Sequence, residues 1–417
     1  MERATVRTFT IGDEVFSENS PEFRALLPRA HEERLRPMCM CRQPAVAMYI
    51  ARMDDQYLVK RMPLSGREHD PACPSYEPPY ELSGLGPLIG SAIQIDASGK
   101  ADLKLDFSLT KRGPRAAAGT AAEQSEPAIR SEPRKLSLKA MLHYLWEAGE
   151  LTEWRSVWAG RRGWGRVRTS LINAASQMTA RGGPLSDMLY VPEVYQADDK
   201  DGIAARRATA LKPVQAAGSG PRKLMMIVAE VKEFSPAREG QRIVAEVKEF
   251  SPAREGQRIV VRHMPFPLMI EDGAWRRLAA RYETELELWR SSEAFHLVVI
   301  ATFGISTSGI ASAEEVALMV VNEHWLPFED INELRLLEKL SHLKRKSVKG
   351  LRFNLPRDAP IVSVTLPEQK PAPVAMFIVP ASAGDEYEHE LADMIETRPE
   401  ITPWIWRVSD GEIPRIP

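Results

Sequence analysis

The chain has 417 residues, a formal net charge of −2, 44% hydrophobic residues and 27% charged residues. That length suggests two or three domains with ample core-forming capacity, and the near-zero charge excludes a chain that binds polyanions over its whole surface. No run of 18 apolar residues is present, so no membrane span and no membrane partner are expected, and the N-terminal Met-Glu-Arg-Ala-Thr-Val-Arg lacks the apolar stretch of a signal peptide.

Taken in chain order, the first informative group is Cys39, Cys41, His69 and Cys73, which contains every cysteine of the chain. It reads C-x-C, a 27-residue spacer, then H-x-x-x-C. Thiolate and imidazole are preferred zinc ligands, and four of them close a tetrahedral structural site, whereas a catalytic zinc keeps a position open. Within the spacer, Val46, Met48 and Ile50 alternate with Ala47, Tyr49 and Ala51, and Tyr57 and Val59 alternate with Leu58 and Lys60. With Asp54-Asp55 between the runs, this predicts a β-hairpin whose ends bring the two ligand pairs together. Three thiolates leave the zinc site at net −1, and Arg42, Lys60, Arg61 and Arg67 are placed to offset it. The bland alternative is three unrelated buried cysteines and a surface histidine. The C-x-C pair resembles the first half of a SWIM-type zinc finger, but the second half is reversed, with His before Cys. Few cysteines and a structural zinc fit a reducing cytoplasm, so a cytoplasmic location is expected.

Residues 112–134 and 196–223 are rich in small and polar residues and read as linkers that cannot bury enough surface to order themselves. They divide the chain into a small zinc-binding N-terminal domain (1–111), a helical basic middle domain (135–195) and a C-terminal α/β domain (224–417) with a mixed sheet. The expected class is multidomain α+β. In the middle domain, Leu138, Met141, Leu142, Leu145 and Trp146 form an apolar helical stripe, and a second helix is expected from Trp164 through Met178. Residues 130–182 carry ten Arg/Lys against four Glu. Arg155, Arg161, Arg162, Arg166 and Arg168 interleave with Trp154, Trp158 and Trp164, the pairing used for phosphate contact and base stacking. Two helices around a Gly-containing turn predict a helix-turn-helix or winged variant that contacts DNA or RNA. The alternative is a solvated basic face on a packing module whose tryptophans are core.

The C-terminal domain opens with IVAEVKEFSPAREGQR at 227–242, repeated without change at 243–258. An identical pair reads as a recent tandem duplication, since repeat folds need at least three units. Only one copy is expected to hold the ancestral place in the sheet. Glu230-Val231-Lys232, duplicated as Glu246-Val247-Lys248, has the E-x-K form of PD-(D/E)xK nucleases, in which the carboxylate holds Mg²⁺ and the lysine assists attack on phosphate. No convincing upstream Asp accompanies it, and E-x-K also suits the wet face of an amphipathic strand. Downstream, a helix is expected from Asp272-Gly273 with Trp275, Leu278, Tyr282, Leu286 and Trp289 on one face. A buried strand follows at 296–303, then an ambiguous segment at 316–321. A helix at 329–345 should turn Ile331, Leu334, Leu337 and Leu340 inward. Strands near 361–366 and 374–379, a helix near 385–397 and a last strand near 403–408 complete the pattern. Glu323-His324 and the histidines at 263, 296 and 342 show no metal-ligand spacing and read as structural. No Walker-type loop, G-x-G-x-x-G or G-x-S-x-G is present.

Several phrases together, CMC with KRMPLSGREHDPACPSYEPP, LHYLWEAGELTEW, EVKEF with HLVVIATFGI, EHWLPFED and KGLRFNL, resemble an uncharacterised bacterial family, a domain of unknown function carried on plasmids and integrative conjugative elements. The resemblance spans nearly the whole chain, departs from it at the 227–258 repeat, and implies a mobile-element protein without implying an activity. The expectation is a zinc-binding accessory protein of bacterial mobile elements that contacts nucleic acid and other mobile-element proteins. The alternatives are a Mg²⁺-dependent nuclease and a protein–protein adaptor.

Overall fold

The computed structural model describes residues 6–53, 56–96, 100–111, 135–216, 222–235 and 257–417. At the N-terminus, Phe9 and Ile11 point inward from β1 (Thr8–Ile11), which pairs with β2 (Glu14–Ser17). Helix α1 (Pro21–Glu32) starts where Ser20 accepts a hydrogen bond from the Phe23 N–H, with proline in the first turn. It buries Phe23, Leu27 and Ala30. β3 (Met38–Cys39), β4 (Val46–Met53) and β5 (Gln56–Arg61) complete an antiparallel sheet in the order β2-β1-β3-β4-β5. Met53 pairs with Gln56, so the expected hairpin is present, while Asp54-Asp55 lie outside the described residues. This sheet has its own small core, which includes Phe9, Phe23, Met48, Cys39 and Cys73.

The next elements cross the expected domain borders. They are β6 (Ile93–Ile95), β7 (Ala101–Leu103), β8 (Thr110–Lys111), α2 (Leu138–Ala148), β9 (Glu153–Trp154), α3 (Trp164–Ser176), β10 (Met178–Ala180), β11 (Gly183–Pro184), β12 (Leu189–Tyr190) and α4 (Lys200–Leu211). β7 pairs in parallel with β10, so residues assigned to the first and second domains share one sheet. Helix α2, capped by Ser137, buries nearly its whole length from Leu138 to Trp146 and packs on the C-terminal strands. An all-round buried helix belongs to a core, which rules it out as one half of an exposed helix-turn-helix. Residues 200–211 are helical rather than linker. Their Ala/Arg content favours helix, and Ile203 and Leu211, two turns apart, are buried. The stretch 112–134 lies outside the described residues.

The remainder comprises β13 (Arg222–Lys223), β14 (Met225–Ser235), β15 (Gln257–Val261), β16 (Leu268–Ile270), α5 (Asp272–Arg281), α6 (Glu283–Arg290), β17 (His296–Ile305), β18 (Ala311–Val321), α7 (Ile331–His342), β19 (Ser347–Lys349), β20 (Val364–Leu366), β21 (Val374–Val379), α8 (Asp385–Glu396) and β22 (Thr402–Arg407). β14 pairs with β15, β15 with β16, β16 with β18, β18 with β17, and β17 with β14 again, so the sheet closes on itself. The first repeat copy supplies β14, and most of the second lies outside the described residues. A second sheet runs β22-β21-β20-β19-β9, with β9 reaching in from the middle segment. Both helices and sheets are present, as an α+β class requires, and one continuous core runs from Leu85 to Ile416 through α2 and α3. The middle segment is therefore part of that body. Two local expectations change. The helix from 272 divides at Tyr282, whose ψ of 26° departs from helical geometry. Ile331 is 54% exposed, because it is the first residue of α7, beyond the packed turns that bury Leu334, Leu337 and Leu340.

Candidate metal centre

Cys39 closes β3, where pairing to Phe9 and Val46 fixes it between two strands. Cys41 follows two residues on. His69 ends a single turn of 3-10 helix, with its N–H bonded to Gly66 O, and the Cys73 N–H bonds Asp70 O. The four ligand atoms lie within 4.8 Å of one another. Cys39 Sγ and Cys73 Sγ are 3.8 Å apart, and His69 Nδ1 is 3.3 Å from Cys41 Sγ and 3.7 Å from Cys73 Sγ. A disulfide would need about 2.05 Å. A tetrahedral zinc with Zn–S near 2.3 Å and Zn–N near 2.0 Å has ligand–ligand edges of about 3.5–3.8 Å. The residues fit that ion in number and chemistry, and three of their separations lie near those edges.

The charge of three thiolates is met differently from the expectation. Backbone N–H groups of Cys41, Asp70 and Ser75 point at the sulfurs of Cys39, Cys41 and Cys73, although the hydrogen bond with Cys73 pushes the Cys39 thiol up and burial pushes the Cys41 thiol up. The Cys73 thiol is held down to about 4, first by its hydrogen bond with Cys39, against burial, and then by His69. The predicted counter-charges are engaged elsewhere. Arg42 bonds Glu68 O, Arg67 pairs with Glu81, Lys60 with Glu150, and Arg61 with Glu77, Glu150 and Glu153. The last set joins the sheet that carries this cluster to the body. Burial alone would raise Glu150, but Lys60 and Arg61 hold it at about 2, while burial pushes Glu147 up to about 7.

The basic segment also contributes to this join. Arg155 donates to Pro74 O, beside Cys73, at 2.8 Å and to Glu153 at 3.1 Å. Arg162 donates to the carbonyls of Leu151, Glu153 and His324, and burial lowers it to about 10. Arg168 donates to Val191 O. Trp158 is flanked by the Arg155 and Arg162 guanidiniums at 5.2 and 5.0 Å, and Trp154 and Trp164 are buried. Of the five arginines expected at a nucleic-acid surface, Arg155, Arg162 and Arg168 are thus committed within the chain, and Arg161 and Arg166 are exposed.

The E-x-K residues part company. Glu230 is buried and Lys232 exposed, because β14 is covered on both faces at Val228–Val231 and its register shifts between Val231 and Glu233. Glu230 meets His296 and Arg262 rather than another carboxylate. Among the described residues the Cys39, Cys41, His69, Cys73 set is the only group of three or more side chains placed to hold a metal. Glu230 belongs to no such group among the described residues. Glu246 and Lys248 lie outside the described residues. The pairing of Glu230 with His296 carried no sequence signal, since 66 residues separate them.

No helix among the described residues is long and apolar enough to cross a membrane. No curated protein and no solved structure matches the chain. A family described as "Protein of unknown function (DUF1173)" matches residues 9–245 and 242–409, and the break between the two stretches falls at the junction of the repeat copies. With nearly its whole length so matched, the chain belongs to the DUF1173 family.

Proposed function

We propose that this protein is a zinc-stabilised accessory factor of mobile DNA. Its Cys39–Cys41–His69–Cys73 centre is structural, and its remaining exposed arginines, Arg161 and Arg166, contact nucleic acid. The observation that carries the metal reading is the convergence of four ligand atoms within 4.8 Å of one another. The nucleic-acid reading is supported by Arg161 and Arg166, which stay exposed on either side of buried Trp164. Purified protein should carry about one zinc per chain. Binding to a labelled duplex should weaken with salt at a slope of about −0.9 per phosphate contacted, and Arg161→Ala with Arg166→Ala should lower that slope by about two units. A metal-free protein that still folds cooperatively would refute the zinc assignment. Absence of binding at low salt would refute nucleic-acid contact and leave an adaptor whose partners are other proteins of the element.

A further inference from the structure

A second polar constellation sits where β14, the start of β17 and the turn after β15 meet. Glu230 Oε1 lies 2.9 Å from His296 Nδ1 and 2.9 Å from Arg262 Nε, and the Arg262 N–H bonds Glu230 O. With the Glu230 carboxylate accepting, His296 Nδ1 carries a hydrogen, and in the neutral ring Nε2 bears the lone pair. The His296 ring lies parallel to Trp325, with centroids 4.2 Å apart and planes at 12°. Trp325 is itself fixed. It holds a left-handed φ of 61° in a turn tied by the Asn322 side chain, which accepts from the N–H groups of His324 and Leu326. The imidazole is therefore clamped by its edge and its face, while its side chain stays 26% exposed.

His263, next to Arg262, has the opposite tautomer. Its Nδ1 accepts from the Tyr195 N–H at 3.2 Å, which leaves a hydrogen on Nε2. Burial lowers its pKa, opposed by the charge of Glu230 and assisted by Arg262. Half of the Arg262 side chain is exposed. An imidazole and a guanidinium thus contact one buried carboxylate, and the neighbouring His263 feels the charge of that carboxylate. Trp164, between Arg161 and Arg166 in sequence, lies 5.8 Å from Trp325, so the basic segment and His296 share one aromatic seam.

We propose that this constellation is a metal-independent phosphodiester hydrolysis site, with His296 as general base, Glu230 as its positioning residue, and Arg262 and His263 holding phosphoryl oxygens. For a polymeric substrate it rests on the nucleic-acid reading above. The oxygen of a water molecule bonds phosphorus while His296 Nε2 takes its proton. The bond from phosphorus to the leaving oxygen breaks, and that oxygen takes a proton from solvent. The imidazolium, stabilised by Glu230, then returns its proton to solvent. The products are a phosphomonoester and an alcohol, and no electron is transferred.

The test uses full-length, zinc-loaded protein without added divalent cations. The probes are a labelled single-stranded RNA, a DNA of the same sequence and bis(p-nitrophenyl) phosphate. At least one should be hydrolysed, and His296→Ala should slow that reaction by about 10²–10⁴-fold without changing zinc content or thermal midpoint. Because His296→Ala vacates the Trp325 face, His296→Asn serves as a second variant and should be equally inactive. Glu230→Gln should lower kcat with KM held, and Glu230→Asp should recover part of it. Hydrolysis of the small diester with no binding of either polymer at low salt supports the site and overturns nucleic-acid contact. Tight nucleic-acid binding with no hydrolysis of any probe overturns the site and leaves the accessory reading intact. Hydrolysis that survives His296→Ala overturns the site.

Discussion

The sheet that carries the Cys39–Cys41–His69–Cys73 cluster and the closed sheet of β14–β18 hold themselves together in different ways. The first has a small core of its own around Phe9, Phe23 and Met48, and its join to the body is a set of ion pairs centred on Arg61. The second belongs to a core that runs without a break to Ile416. A small sheet buries too little apolar surface to be stable by that alone, so a few polar contacts decide its fate, while the body spreads its stability over many side chains.

Removing zinc, by a chelator or by Cys39→Ser or Cys73→Ser, should have the largest effect. Structural zinc contributes about 10–16 kcal/mol in small zinc-dependent peptides. Amide protection at β1 through β5 should collapse while β17 and β18 keep theirs. Loss of protection in both sheets together would erase the contrast. Next comes Arg61→Met, which strands Glu77 and leaves Glu150 to Lys60 and Glu153 to Arg155, and should cost about 3–5 kcal/mol. Denaturant titration measures it, and a cost below about 1 kcal/mol, the range of a surface pair, would show that the join lies elsewhere.

Acid should separate the two regions further. His143 is buried, accepts from the Phe353 N–H, and is lowered by burial to about 3 from 6.5. The neutral form is the folded one, so its contribution is full above pH 6.5 and is lost as pH falls toward 3. Glu150, lowered to about 2 from 4.5, contributes above pH 4.5 and is lost as pH falls through 2. Glu147, pushed up to about 7 from 4.5, acts the other way and gains as pH falls from 7 to 4.5, so it offsets the His143 loss in that window and the loss emerges below about pH 4.5. With the His143 loss removed and the Glu147 gain kept, His143→Gln should raise the urea midpoint at pH 5 relative to pH 7, and an unchanged slope would assign that limb to other groups. The smallest effect is expected from excising residues 243–258. Removing sixteen residues from the connection 236–256 between β14 and β15 should raise stability by about 1 kcal/mol through loop-closure entropy. A loss on excision would mean that the second copy makes contacts of its own.

The zinc ligands and the hairpin between them were legible because their signals are local: fixed spacing, period-two alternation and a two-residue turn. The strands at 296–305 and 374–379 were equally plain as apolar runs. The role of the arginines was not legible. Composition counts donors but not the carbonyls that take them up, and Arg162 meets His324 O across 162 residues of chain. Glu230 illustrates the same gap. Its E-x-K neighbours suggested a metal, while its partners come from the turn after β15 and the start of β17. Helix α4 was missed because few large apolar residues were taken to mean no structure, although two well-spaced ones suffice when the rest favour helix.

The repeat poses a question of ambiguity that its neighbours answer. Two identical segments are interchangeable in themselves, so nothing within them can choose which becomes β14. Upstream, the first copy follows Met225-Met226, both buried against β17, whereas the second follows Gln241-Arg242, whose burial in those places would cost several kcal/mol. Downstream, the QRIV of β15 runs on into Val261-Arg262, and its twin runs on into Ala245-Glu246. Arg262 neutralises Glu230, and a glutamate in its place would repel it. The choice of register thus resides in a handful of flanking residues, and substitutions that made those flanks alike would give one chain two competing native alignments.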